Sequence, residues 1–366
     1  MTGTIRTLGI LTGGGDCPGL NACIRAVAKT AIHKHGLRVV GIHDGFQGLI
    51  EHRVDALSFD DVSGIMTRGG TILGTNNRCN PVAYRDGTNS DGSPRIINAV
   101  DRCMETVETN EIDALIVIGG DGTMACTTPL AEAGVRCIGV PKTIDNDIIG
   151  TQLTVGFTSA LRIGAMALDR LHSTASSHHR VMVCELMGRN AGWLALAAGV
   201  ASGADVILLP EIPFDIDTVC SFVTSRTDDE RGFSIIACGE GARFKDGEQV
   251  VARRVEDSPD PVRLGGVGAM VSWEIEQRTG IESRTTVLGH VQRGGEPSAT
   301  DRTLATLFGT AAVELVMGGA TNRMVALSDG VISDAPLSAA AGTQRLVPMD
   351  DPLLSSARSV NTCFGD

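Results

Sequence analysis

The sequence predicts an α/β protein of the doubly wound class, arranged as two joined lobes with mostly parallel sheets. Three observations carry that prediction. Short apolar runs alternate with stretches whose apolar residues recur every three to four positions. Several of the runs end in glycine-rich turns that lead directly into a helical pattern. The 366 residues, 42% hydrophobic, also exceed what one core of about 150 residues needs.

In chain order the runs are Thr7–Leu11, Arg38–Ile42, Ala114–Ile118, Cys137–Val140, Arg180–Leu186, Val206–Leu209, Phe233–Cys238 and Thr285–Leu288. They are continuous rather than alternating, as expected of strands covered on both faces. Between them Asn21–His35, Phe157–Ser173 and Thr300–Met317 carry helical spacing. A break between lobes falls near Gly150, giving a first lobe over 1–150 and a second over 151–300, with the segment from about Asp301 to Asp366 packing back onto the first. Two polar stretches, Asn76–Arg95 and Gly241–Gly266, read either as plain surface loops or as flaps over a site.

Composition excludes several classes. A formal charge of −12 argues against a nucleic-acid partner, because phosphate-backbone binding needs a basic face. The longest apolar stretches fall far short of the ~20 residues that span a bilayer, and Met1–Arg6 has no apolar signal core, so no membrane and a cytoplasmic location are expected. The ten cysteines include no C-x-x-C pair and read as reduced, small buried hydrophobes. With 45 glycines and 3% aromatics, the chain is built for tight loops rather than stacking platforms.

In doubly wound sheets ligands gather at the carboxyl ends of strands. The first run ends in Thr12-Gly13-Gly14-Gly15-Asp16-Cys17-Pro18-Gly19-Leu20-Asn21, which reads as a phosphate cradle or as a structural turn, and matches neither the Walker nor the G-x-G-x-x-G spacing. Ala114–Ile118 ends in Gly119-Gly120-Asp121-Gly122-Thr123, where the aspartate either holds Mg²⁺ beside phosphate-facing amides or caps the helix. After Cys137–Val140 come Pro141-Lys142-Thr143-Ile144-Asp145-Asn146-Asp147. In extended backbone the two carboxylates would share one face, with a lysine nearby to neutralise a transferring phosphoryl group. A plain Asp-Asn-Asp turn is the other reading.

Cations then appear where an acidic average would not place them: Arg180, Arg189 after Met187-Gly188, and Arg284, His290 and Arg293 around a Gly-Gly pair. Singly these are solvated charges or a structural histidine. Clustered at strand ends, the guanidiniums suit a sugar phosphate.

Taken in order, GGGDCPGLN, RGGTILGT (Arg68–Thr75), IGGDGT, PKTIDND, SSHHRVMVCELMGR (Ser176–Arg189) and TVLGHVQRGG (Thr286–Gly295) resemble the phosphofructokinase family over roughly residues 5 to 330. The resemblance implies two Rossmann-like lobes, the first holding the donor and Mg²⁺ and the second fructose 6-phosphate. It implies ATP-dependent phosphorylation of that sugar's 1-hydroxyl, or the pyrophosphate-dependent equivalent, by a homo-oligomer. It makes Asp145 the general base, supported by Asp147, with Thr143 on the sugar and Asp121 on Mg²⁺. Gly15, Arg78 and the loop Gly120, Asp121, Gly122 and Thr123 would hold the donor. Met187, Gly188, Arg189, Glu240, His290 and Arg293 would hold the sugar phosphate. Family matches to Arg180 and Arg284 reach the 6-phosphate from a neighbouring subunit. Arg78 and Lys142 would stabilise the transferring group.

Two departures stand out: Gly74–Arg78 is one residue longer than the common bacterial form, and nothing after about Ser328 matches the pattern. Gly122 is similar to ATP-using members and Lys142 to pyrophosphate-using ones. Phe46 lies where the family places an aromatic against adenine, and equally suits an ordinary core. Arg25 and Lys29 lie where bacterial relatives bind an effector, or form a solvated helix face. A lipid or NAD kinase shares only Gly-Gly-Asp-Gly-Thr and leaves PKTIDND unexplained. A non-catalytic sugar-phosphate sensor would be expected to have lost the base, the metal aspartate or the cations.

Overall fold

The computed structural model describes residues 5–228, 232–254 and 262–366. They divide into two units, the first drawn from 5–143, 148–156 and 294–344, the second from the described residues of 144–147, 157–293 and 345–366.

The first unit is organised by an eight-stranded sheet. Its order is Val331–Pro336, Arg323–Ser328, Arg136–Thr143, Ala114–Gly119, Thr7–Thr12, Arg38–Ile42 and Val54–Ala56, and Val155–Gly156 also pairs with Arg136–Thr143. The central pairings are parallel and the two outermost antiparallel. Strands such as Thr7–Thr12 and Ala114–Gly119 are buried at every position, which is why they read as continuous apolar runs. Helix Leu20–His35 packs on helix Ala299–Met317, where Gly309 comes so close to Cys23 and Ala26 that a Cβ would clash.

In the second unit Val206–Leu208, Ser234–Gly239, Val181–Leu186 and Ser283–Val287 form a four-stranded, all-parallel sheet. One apolar cluster joins Leu186, Leu196 and Ile207; another joins Val183, Phe214 and Val271.

Three expectations change. The chain leaves the first unit between Thr143 and Ile144 rather than near Gly150, because 148–156 returns to pair with the first sheet. The tail 345–366 belongs to the second unit instead of the first. Val347, Leu354, Ala357 and Phe364 fill that unit's core, and the Cys363 and Gly365 carbonyls accept from the Ile207 and Asp215 N–H groups. The polar stretches are not featureless loops. Tyr84–Thr88 pairs with Pro94–Ile97, with Tyr84 and Ile97 against the core, and Val251–Arg254 pairs with Val262–Leu264. Residues 255–261 of the second stretch lie outside the described residues.

All ten cysteines are free thiols, most of them buried. Among the described residues no helix is long and apolar enough to cross a membrane.

Candidate active site

In the first unit two glycine-rich turns leave adjacent parallel strands and share one anchor, Thr123. A Cβ on Gly13 would lie 2.6 Å from its side chain, and one on Gly119 2.3 Å away, so only glycine lets both turns approach it. Thr123 is itself fixed, its carbonyl accepting from the Thr127 hydroxyl at 2.8 Å. Gly13 N–H donates to the Ile118 carbonyl at 2.9 Å, tying the loops together. Helix Asp121–Glu132 starts at the second turn and places the Asp121 carboxylate in its first turn, where the helix dipole favours negative charge. Around Gly122 there is open space, with nothing within 4 Å of an added Cβ.

Lys142 lies on the strand Arg136–Thr143, is 2% exposed, and donates to the Gly15 carbonyl. The lysine side-chain nitrogen thus sits against the first glycine turn. The segment after Leu73 covers the same turn. Thr75 Oγ1 donates to the Gly14 carbonyl at 2.7 Å, the Gly14 N–H donates to Asn76 O at 3.4 Å, and Asn76 Oδ1 accepts from the Arg78 N–H at 2.7 Å. The backbone of Arg78 is therefore fixed while its side chain is exposed. Phe46 is core, packed among Leu49, Val117 and Cys103. Lys29 donates to Ser63 Oγ at 2.9 Å and lies 3.7 Å from the Phe59 ring.

The second unit gathers the remaining candidates. Asp145 and Asp147 are buried, at 5% and 4% exposure, but the backbone between them is not extended. Asn146 takes a left-handed φ of 54°, so the argument that alternation puts both carboxylates on one face does not apply. The Met187 N–H donates to Gln292 Oε1 at 2.8 Å, and Gln292 is wholly buried. Glu240 Oε1 accepts from the Arg189 and Gly188 N–H groups at 3.1 and 3.3 Å, with Arg189 at a left-handed φ of 52°. Arg180 donates to Glu282 Oε2 at 2.6 Å, and Arg284 pairs with the other oxygen of the same carboxylate. His290 is exposed and Arg293 half-buried. Sequence reasoning missed Gln292, Glu185 and Arg345. Glu185 Oε2 accepts from the Gly268 N–H at 2.8 Å, at the start of helix Val267–Thr279. These three hold backbone in place, and no motif logic flags that task.

Burial pushes the Glu240 carboxyl up to about 7; the Arg189 amide opposes the rise, the charge of Asp145 adds to it, and the Gly188 amide again opposes it. A carboxyl that binds its proton more tightly when folded stabilises the fold fully below its ordinary value of 4.5, and that stability is lost as pH rises to about 7. Glu240→Gln should therefore flatten the pH dependence of Tm between about pH 4.5 and 7, removing a stability change of up to about 3 kcal/mol. Identical Tm profiles for parent and variant would refute the shift.

Glycine turns at the carboxyl ends of parallel strands, a buried lysine beneath one of them and a carboxylate at a helix start define a phosphate-handling α/β protein. The phosphofructokinase family model matches residues 7–316. Over 369 residues, covering 100% of both chains, the protein is 47% identical to an ATP-dependent 6-phosphofructokinase 2 of Clostridium perfringens. It is 48% identical over 347 residues, 94% of this chain and 97% of the relative, to a pyrophosphate–fructose 6-phosphate 1-phosphotransferase of Streptomyces coelicolor. The fold matches the pyrophosphate-dependent phosphofructokinase of Nitrosospira multiformis with a TM-score of 0.80, at 22% identity and covering 99% of this chain and 93% of that one. The chain belongs to the phosphofructokinase family, phosphotransferases with an alcohol group as acceptor.

Proposed function

We propose that this protein is a 6-phosphofructokinase that phosphorylates the 1-hydroxyl of fructose 6-phosphate with ATP. Full-length identity to relatives of that name supports the reaction, and the open space at Gly122 supports ATP as donor. The first unit carries the donor groups: Gly15, Gly120, Asp121, Gly122, Thr123 and Arg78, with Lys142 under the glycine turn. Thr143 at the strand end would contact the sugar. The second unit carries the acceptor groups: Asp145 and Asp147, then Met187, Gly188, Arg189, Glu240, His290 and Arg293.

Asp145 would take the proton of the 1-hydroxyl as that oxygen bonds to the terminal phosphorus and the bond to the bridging oxygen of the donor breaks. A Lys142 ammonium would suit the loose, anionic transition state, as would the exposed Arg78 guanidinium. Among the described residues no three His, Cys, Asp or Glu side chains gather as a metal cluster. One carboxylate at the mouth of a phosphate cradle fits Mg²⁺, which usually takes one or two protein carboxylates and completes its shell with phosphate and water. Asp121 would hold it, and when bound it would supply charge neutralisation on the donor phosphates.

A cytoplasmic homo-oligomer completes the proposal, with Arg180 and Arg284 serving a neighbouring subunit's 6-phosphate. Arg180→Ala should raise KM for fructose 6-phosphate at least ~10-fold with a smaller change in kcat, since ground-state phosphate binding is lost. A fully active monomer by light scattering would end the shared-site reading. The reaction itself is tested by a coupled assay of fructose 6-phosphate and Mg²⁺ with ATP or pyrophosphate. Turnover with pyrophosphate alone would make the protein the pyrophosphate-dependent enzyme, the reading that Lys142 favours and that the Streptomyces coelicolor relative supports.

A further inference from the structure

We propose that Arg345 is a positioning residue for the Asp145 and Asp147 carboxylates, acting through the backbone of the turn that carries them; this rests on the reading of Asp145 as the base. Arg345 gives the turn three hydrogen bonds. The Asn146 carbonyl accepts from Arg345 Nη2 at 2.8 Å and from Nε at 3.2 Å, and the Arg345 N–H donates to the Asp147 carbonyl at 2.7 Å. The residue gripped on its carbonyl is the one in the left-handed conformation, at φ 54°. Asparagine tolerates that region better than most residues, yet a single left-handed residue between two buried carboxylates keeps its place only if the surroundings fix it.

Arg345 is itself immobilised. Its guanidinium lies 4.3 Å from the Trp193 ring, and Trp193 Nε1 donates to the Arg345 carbonyl at 2.9 Å. Two residues on, the Val347 N–H donates at 2.9 Å to Glu211 Oε1, which also accepts from the Gly192 N–H at 2.9 Å at the start of helix Trp193–Ala201. Burial of the guanidinium lowers its affinity for its proton, and the charges of Asp147 and Asp351 oppose that only in part. A planar fork gripping one carbonyl while stacked on an indole is a task lysine cannot perform. Displacing a reacting group by about 1 Å costs roughly 10²-fold in rate, so a residue that sets the turn should act on kcat.

The test uses the full chain with Arg345→Ala, Arg345→Lys, Asp145→Asn and the double variant Asp145→Asn/Arg345→Ala. Arg345→Ala is expected to lower kcat by about 10- to 100-fold while KM for fructose 6-phosphate stays within about threefold, and added guanidinium ion should restore part of the rate. In the Asp145→Asn background the same change should cost almost nothing further, because there is no base left to misplace. Arg345→Lys keeps the charge without the fork and should still lose at least about fivefold in kcat, which covers the case in which the alanine variant fails to fold. Parental kcat in a folded Arg345→Lys or Arg345→Ala, beside a crippled Asp145→Asn, would overturn this inference alone, as would losses that simply multiply in the double variant. Near-parental kcat in Asp145→Asn would instead overturn the base assignment on which it stands.

Discussion

Replacing Asp145 with asparagine is expected to lower kcat by at least ~10², the usual scale for loss of a general base, while fructose 6-phosphate still binds. Asparagine is nearly isosteric with the aspartate it replaces. The turn should survive the change, since Arg345 grips the main-chain carbonyls of Asn146 and Asp147. The lost quantity is then the ability to accept a proton at a residue that is only 5% exposed, where bulk water is a poor substitute. The comparison is kcat from initial rates against the sugar's Kd from equilibrium binding. A variant turning over at near the parental rate would remove Asp145 from the mechanism.

Gly122→Asp is expected to cripple ATP use far more than pyrophosphate use. The fold itself should accept the change: nothing lies within 4 Å of the added Cβ, and a carboxylate in the first turn of Asp121–Glu132 complements the helix dipole. The penalty therefore falls on the donor. Like charges about 4 Å apart at an effective dielectric of ~20 repel by about 4 kcal/mol, so kcat/KM for ATP should fall on the order of 10²- to 10³-fold, while pyrophosphate has no third phosphate to meet the new charge. Lys142→Gly is the companion. It should lower kcat with whichever donor is native, and because the ammonium also holds the Gly15 carbonyl, raise that donor's KM as well. Both donors are measured against parent and both variants. Equal losses of ATP and pyrophosphate turnover in Gly122→Asp would show that position 122 does not choose the donor.

The parallel strands were legible because burial on both faces leaves an uninterrupted apolar run, as in Ala114–Gly119 and Ser234–Gly239. The hairpins were not. Tyr84–Thr88 reads YRDGT and Val251–Arg254 reads VARR, short pairings in which backbone hydrogen bonds, not apolar pattern, make the strand. The tail was assigned to the wrong unit because a few scattered residues, Val347, Leu354 and Phe364, decide where it packs. In the site, residues that would do chemistry announce themselves by type: a carboxylate among glycines, a lysine at a strand end, arginines beside Gly-Gly. Gln292 lay within a quoted motif and was still passed over, since a buried amide that holds the Met187 N–H has no chemical signature of its own. Left-handed Asn146 was unreadable for a related reason, its carbonyl being gripped by an arginine from a distant part of the chain.

The cysteine inventory has a consequence for the protein's chemical durability. Burial raises the thiols of Cys79, Cys103, Cys137 and Cys184 to about 12 and that of Cys126 to about 11. Since thiolate is the reactive form, electrophiles and peroxides at neutral pH meet almost none at these positions. An oxidative pulse that silences enzymes with activated cysteines should pass these five by.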